Sequence, residues 1–492
     1  MIALTLGEIV AATTGRLYAA DGRVVPAGAP AWTDLADRVV DGPVTTDSRA
    51  CEVGSLYVAR VGEHADGHAY VPAAASRGAI AALTARPVDG LPCVVVEDTQ
   101  IAFGQVARAV VDAAQRGAGL TIVGVTGSSG KTSTKDLLAH VLAGLGETVA
   151  PVESLNGEIG VPLTVCRITA QTRILVAEMG ARGIGHIAYL TDIAPPRIGV
   201  VLNVGTAHVG EFGGRDQIAL AKGELVESLP DNGIAVLNAD DPTVAAMSAR
   251  TKAKVVLVGE DPSADVRATD VVLDALGRPS FMVHTPAGTS RVQLGLHGRH
   301  HVGNALGVLA VALELGQPLG EAVARLATAR PVSRWRMEVF ERADGITIVN
   351  DAYNANPDSM AALLRALAAI GHPESGAGRR TWAVLGEMLE LGPDSVAEHE
   401  GVGRLAAQLG VDRLLAVGAG AAAIADGARA GGLGADAVAT AADVDAAYDL
   451  LVGQVRPGDV VAFKSSRDSG LRWLGDRFAQ DSGRSAGREE QQ

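Results

Sequence analysis

Residues 120 to 135 read Leu-Thr-Ile-Val-Gly-Val-Thr-Gly-Ser-Ser-Gly-Lys-Thr-Ser-Thr-Lys. An apolar run, Leu120 to Val125, predicts a β-strand. The Gly/Ser turn that follows leads into a helix beginning near Lys131. Backbone N–H groups in such a turn, backed by a helix N-terminus, form an anion site. Lys131 supplies a point charge for β- and γ-phosphates, and the Thr132 hydroxyl is placed to ligate Mg²⁺. Gly127, Ser128, Ser129, Gly130 and Ser133 complete the loop. The spacing is not a strict Walker A, because Val125 occupies the position of its first glycine. A strand before, a helix after and Gly-Lys-Thr together predict a bound nucleoside triphosphate, with a plain Gly-rich turn as the bland reading.

Working outward, a chain of 492 residues implies about three domains. Hydrophobic residues make up 48% and aromatic residues 3%, so the cores are expected to be built from Ala, Val, Leu and Ile. With 42 Lys and Arg against 56 Asp and Glu, the net charge of −14 disfavours nucleic acid or an anionic membrane as partner. Cys51, Cys93 and Cys166 are odd in number and widely spaced, which suggests neither a disulfide framework nor a metal pattern and fits a reducing cytoplasm. The first residues lack a basic region and carry Glu8, so no signal peptide is expected, and no apolar run reaches membrane-span length.

Lysine is confined to Lys131, Lys135, Lys222, Lys252, Lys254 and Lys464. A chain that uses Arg for general surface work keeps Lys where a guanidinium, which cannot lose its proton, will not serve. Lys222 and Lys464 therefore stand out, while Lys252 and Lys254 lie in a polar loop.

The expected class is α/β in three domains. Residues 1–100 form a small α/β unit, with strands at Val44 to Arg49, Ser55 to Ala59 and Cys93 to Glu97 and a helix at Tyr70 to Ser76. Residues 101–330 alternate strand and helix, which predicts a central, mainly parallel P-loop-type sheet. Its strands end at the P-loop, at Glu178, at Asn203 ahead of His208, and at Asn238. Ligands gather at the carboxyl ends of such strands. After Arg330-Pro331, residues 331–492 read as a Rossmann-like domain whose strands run into Asn350-Asp351, Gly386-Glu387 and Lys464-Ser465-Ser466. Ala416 to Ala442 reads as a small-residue helix with turns, and the polar tail after Asp481 as disordered.

Glu178 at a strand end suits Mg²⁺, which takes few protein ligands beside phosphate and water; a solvated Glu is the alternative. His208, alone in a Gly-rich loop, gains interest from the shared sheet edge. Lys222 could add CO₂ and become a carbamate, an anionic Mg²⁺ ligand; a surface Lys is the alternative.

At this point the chain resembles the Mur ligases, ATP-dependent amide-forming enzymes of peptidoglycan synthesis. Their phosphate loop, Thr-Gly-Thr/Ser-x-Gly-Lys-Thr/Ser, matches Thr126 to Thr132. Their metal Glu, metal His and carbamylated Lys correspond to Glu178, His208 and Lys222. Their Gly-x-His-Asn-x-x-Asn motif matches Gly298 to Asn304, with His301 in place of the first Asn; Asn304 is the implied adenine contact. The interdomain Arg falls at Arg336, preceded by Trp335 where the family has Gly.

Asp351-Ala-Tyr-Asn-Ala-Asn-Pro-Asp-Ser-Met, Leu385 to Gly392 with Ser395 and His399, and Lys464-Ser-Ser-Arg resemble the family member that adds D-alanyl-D-alanine to UDP-MurNAc-tripeptide. Thr46 to Arg49 and Asp66-Gly-His68 resemble its UDP-binding portion. The resemblance implies ATP, two Mg²⁺ and a carbamylated Lys222, with Lys131, Lys222, His208, Arg336 and Asp351 as catalytic residues. It implies nucleotide contacts from the P-loop, Asn238, Asn304 and Arg336, and metal ligation by Thr132, Glu178, His208 and Lys222. It implies substrate contacts from Ser48, Arg49, Asn156, Tyr353, Asn354, Asn356, Lys464 and Ser466, and a cytoplasmic monomer. The alternatives are a UDP-MurNAc-tripeptide synthetase, a folylpolyglutamate synthetase-like ligase, or a non-catalytic ATP-binding scaffold.

Overall fold

A computed structural model describes residues 1–62, 65–117, 119–205, 209–373 and 378–480. His208 and the tail after Asp481 lie outside the described residues. The P-loop strand, Thr121–Thr126, lies inside a nine-stranded sheet. In spatial order the sheet runs Gly288–Gln293, Pro279–Thr285, Val266–Leu273, Lys254–Gly259, Ile234–Asn238, Ile198–Val201, Thr121–Thr126, Thr172–Glu178 and Glu147–Val149. The pairings from Glu147–Val149 through Val266–Leu273 are parallel. Continuous Val/Ile/Leu runs suit such strands, because helices cover both faces.

The last three strands form an antiparallel arm that the alternating βα reading of 101–330 did not contain. Val266–Leu273 alternates buried and partly buried positions over its first half and exposed and partly buried positions over its second, the pattern of a sheet with one wetter face.

Two glycines set the distance between this sheet and the helix Arg215–Glu227. A Cβ on Gly124 would sit 2.9 Å from Leu225 Cδ1, and one on Gly199 would sit 3.2 Å from Leu225 Cγ. Both strands need glycine for that helix to lie close, and the helix carries Lys222.

The first sheet has the order Arg16–Tyr18, Cys93–Val95, Ala81–Thr84, Leu56–Val58, Val44–Thr45. The strand expected over Val44 to Arg49 stops at Thr45. The Asp47 carboxylate accepts from the Arg49 N–H at 2.9 Å and turns the chain into a short 3₁₀ helix, Ser48–Ala50. One buried cluster runs from Leu6, Leu56 and Leu83 through Phe103, Val106 and Val110 of the helix Thr99–Gly117 to Leu175, Met179 and Leu190. The first and second sheets thus share a core.

The third sheet has the order Glu338–Glu341, Thr347–Asn350, Val460–Lys464, Thr381–Leu385, Arg413–Val417, Val438–Ala441, with only its first pair antiparallel. Its two faces carry separate clusters, one around Leu363, Leu367 and Leu414 and one around Trp382, Phe463 and Phe478. The Ala416 to Ala442 stretch is corrected here. Ala416 and Val417 finish a strand, Ala422–Ala430 is helical, and Val438–Ala441 is an edge strand. Small residues carry too weak a periodicity to separate helix from strand.

Candidate active site

The P-loop is built as its sequence demands. Gly127 and Gly130 take φ values of 158° and 82°, and Gly130 is the N-cap of the helix Lys131–Leu142. Lys131 Nζ donates to the Gly127 carbonyl at 2.6 Å, closing the loop on itself. Burial, aided by the Arg336 charge and opposed by Glu178, holds its pKa below the ordinary lysine value. Asn203 clamps the loop from the neighbouring strand end. Its Oδ1 accepts from the Ser129 N–H at 2.9 Å and its Nδ2 donates to the Ser129 carbonyl at 3.2 Å. Sequence reasoning noted Asn203 only as a strand end.

Glu178 is fully buried at the end of its strand. Oε1 accepts from Asn156 Nδ2 at 2.7 Å, Ser154 Oγ at 3.1 Å and Thr132 Oγ1 at 3.3 Å. Oε2 is buried and has no hydrogen-bond partner among the described residues. A buried carboxylate oxygen left unpaired beside a threonine hydroxyl and a phosphate loop fits a divalent cation that completes its shell with phosphate and water. Asn156 and Ser154 therefore orient the carboxylate. Ser154 carried no sequence signal beyond its place before Asn156.

Lys222 is 4% exposed. Its ammonium has no hydrogen bond or ion pair among the described residues. Burial, and then the Lys131 charge, push its pKa well below the ordinary value. An amine kept neutral this way can add CO₂. Two residues on, Glu224 serves differently: its carboxylate accepts from the Gly185 and Ala188 N–H groups at 2.6 and 2.9 Å and caps the helix His186–Ile193.

Beside the loop lies a cavity of about 450 Å³ walled by Val200, Leu202, Val258, Leu273, Val302 and Gly307, with Asn238, Arg299 and Asn304 among its polar groups. It joins a polar cleft of about 210 Å³ through Asn203, His300 and Asn304, which line both. An apolar slot next to an anion site suits a planar base joined to phosphates. His301 begins the helix His301–Glu314 and is buried. Burial, and then the neighbouring His300, hold its pKa well below the ordinary value, so its Nδ1 can accept from Asn304 Nδ2 at 3.3 Å. The histidine that replaces the expected Asn thus orients Asn304.

The third sheet supplies the opposite wall. Arg336 Nη2 donates to Thr132 Oγ1 at 3.2 Å, and its guanidinium lies 4.1 Å from the Tyr353 ring centroid. Lys464 Nζ donates to Asp351 Oδ2 at 2.5 Å, and Asp351 Oδ1 accepts from the Met337 N–H at 3.0 Å. Burial lowers the Lys464 pKa while Asp351 raises it. Tyr353, Asn354 and Asn356 also line the cleft, and Asn356 caps the helix Pro357–Gly371 through the Ser359 N–H at 2.9 Å.

Lys222 is not among the residues that line either cavity, and three further predicted residues are placed elsewhere. Ser466 Oγ accepts from the Leu389 N–H at 2.9 Å and does not line the cleft. Ser48 and Arg49 sit on the first sheet's 3₁₀ turn, where Arg49 pairs with Asp47 at 2.8 Å. That guanidinium brings the Asp47 pKa down to about 2.

A phosphate loop faced by a second α/β unit defines a nucleotide-dependent enzyme whose site is completed between domains. Residues 125–312 match the Mur ligase middle domain, and residues 335–467 match the Mur ligase, glutamate ligase domain. The UDP-N-acetylmuramoyl-tripeptide–D-alanyl-D-alanine ligase of Mycobacterium tuberculosis is 50% identical over 483 residues, covering 91% of this chain and 94% of that protein. MurF from Acinetobacter baumannii superposes with a TM-score of 0.84 at 31% identity, covering 97% of this chain and 99% of that one. MurF ligase from Thermotoga maritima, solved in complex with ADP, gives 0.77 at 28% identity over 90% and 98%. The chain belongs to the Mur ligase family.

Proposed function

We infer that this protein joins D-alanyl-D-alanine to UDP-MurNAc-tripeptide at the cost of ATP, giving UDP-MurNAc-pentapeptide, ADP and phosphate. The observation that carries this reading is the single cleft in which Lys131, Thr132 and Glu178 face Arg336, Asp351, Tyr353 and Lys464. The relatives named above support the choice of substrates.

The chemistry follows from the need to activate a carboxylate. An oxygen of the tripeptide carboxylate attacks the γ-phosphorus, ADP leaves, and an acyl phosphate forms. The dipeptide amine attacks its carbonyl carbon and loses a proton, and the tetrahedral intermediate expels phosphate. Lys131 and Arg336 offset charge that spreads over the phosphoryl oxygens, and the P-loop amides orient them. The Arg336 guanidinium lies over the Tyr353 ring, which restricts its fork. When bound, Mg²⁺ would neutralise phosphate charge; Thr132 and Glu178 would hold one ion and carbamylated Lys222 with His208 a second. The apolar cavity with Asn238 and Asn304 would take the adenosine.

We assign residues 1–100 to the UDP-sugar end, with Ser48 and Arg49, residues 101–330 to ATP, and residues 331–492 to the incoming dipeptide, with Tyr353, Asn354, Asn356 and Lys464. Among the described residues no helix is long and apolar enough to cross a membrane. We assign the protein to the cytoplasm as a monomer; the described lining of the cleft, drawn from both the second and third units of one chain, supports the monomer.

The test is phosphate release from ATP and Mg²⁺ with UDP-MurNAc-tripeptide and D-Ala-D-Ala, omitting each in turn. Release that needs both, with a pentapeptide product by mass, is the expected result. Release with UDP-MurNAc-dipeptide and a free diamino acid would move the reading to the tripeptide-forming ligase. No release with any acceptor would overturn it.

A further inference from the structure

The segment between the second and third sheets is pinned at both ends. At its start, the Ser333 N–H donates to Asp136 Oδ2 at 3.3 Å. Asp136 Oδ1 pairs with Lys135 Nζ at 2.5 Å, and Lys135 also donates to the Pro151 carbonyl at 2.7 Å and to Ser333 Oγ at 3.4 Å. Lys135 is 2% exposed, on the same helix as Lys131 and Thr132. Lys252 and Lys254 are exposed, the latter at the start of a strand rather than in a loop; apart from Lys222 and Lys464, Lys135 is the one buried lysine that the P-loop chemistry does not explain.

At the other end, Trp335 and Met337 take positive φ values of 57° and 52° on either side of Arg336. Side chains rarely accept that backbone, and it persists only where the surroundings fix it. Here Trp335 Nε1 donates to Asp476 Oδ2 at 3.0 Å and its ring packs edge-on against Trp473. Asp476 also accepts from Arg334 Nη2 at 2.6 Å and Asn350 Nδ2 at 3.0 Å. The Met337 N–H is held by Asp351.

We propose that Ser333 to Met337 is a two-anchor strap that sets Arg336 against Thr132, with Trp335 and Asp476, and Lys135 and Asp136, as positioning residues for the ATP-consuming step. This rests on the ligase reading above. The indole N–H matters because it fixes the left-handed turn, and the turn decides where the guanidinium of Arg336 lies.

The experiment is a double-mutant cycle on phosphate release with both substrates present. Trp335→Phe removes the N–H and keeps the ring. It is expected to lower kcat roughly tenfold, with the KM for ATP held within about twofold. On an Arg336→Lys background the same change is expected to cost less than about twofold, because its effect passes through Arg336. Asp136→Asn probes the other anchor by the same cycle if the Trp335 variant does not fold. An equal loss of kcat on both backgrounds, or an unchanged kcat, overturns the strap. Wild-type protein that releases no phosphate would instead overturn the ligase reading.

Discussion

Lys222 concentrates the argument at the residue scale. Its ammonium is buried without a carboxylate among the described residues, which is costly for a charge and cheap for a neutral amine. Between its lowered pKa and the ordinary value the unfolded chain holds a proton that the fold does not. Its contribution to stability therefore rises with pH across that window and is unfavourable below it. The same proton blocks carbamate formation, so activity should fall as Lys222 gains it. Raising bicarbonate should move that acid limb of the rate profile to lower pH, and a limb indifferent to bicarbonate would count against the carbamate. Lys222→Arg and Lys222→Ala should both lose roughly 100-fold or more in kcat, since neither can carry CO₂; a near-active arginine variant would refute the idea. The rarity of lysine made Lys222 and Lys464 visible in the sequence. Asn203 was read only as a strand end and Ser154 not at all, because Asn and Ser before a turn are common and their partners lie 74 and 24 residues away.

At the scale of elements, strand ends were the most legible feature. Glu178 and Asn238 close their strands, and Asn203 lies just beyond its own, because buried apolar runs stop where polar residues meet the sheet edge. The P-loop helix was equally plain, and its N-cap gives a sharp prediction. A Cβ on Gly130 would lie 2.8 Å from Asn304 Oδ1 on a backbone at φ 82°. Gly130→Ala should cost about 1–2 kcal/mol in thermal unfolding and raise the KM for ATP at least about tenfold; an unchanged KM would mean that Asn304 does not depend on this close approach. Glu224→Ala, which removes a buried carboxylate cap, should lower stability by about 1.5–3 kcal/mol, read from denaturant midpoints. The Val438–Ala441 strand and the antiparallel arm were not legible, since Ala-rich and short alternating runs fit more than one period.

Across the whole molecule, cores and polar contacts are distributed unevenly. The first and second sheets share one buried cluster that passes through the helix Thr99–Gly117, whereas the third sheet keeps its two clusters to itself. Between the second and third lie hydrogen bonds such as Arg336 to Thr132 and the Gly210 N–H to the Glu390 carbonyl at 3.2 Å. Separating a shared apolar core costs free energy in proportion to its area, while a hydrogen bond gives way to water at a net cost of only about 1 kcal/mol. The third unit is therefore expected to be the one that opens for substrates and closes for reaction. No local pattern could have revealed this, because Arg336 and Thr132, which meet across the two units, are 204 residues apart in sequence. The expectation is that a fluorophore pair across the second and third units changes its transfer efficiency when a non-hydrolysable ATP analogue and UDP-MurNAc-tripeptide are added together. A pair across the first and second units should hold constant under the same additions. Movement in the second pair, or none in the first, would show that the shared core is not what fixes which unit moves.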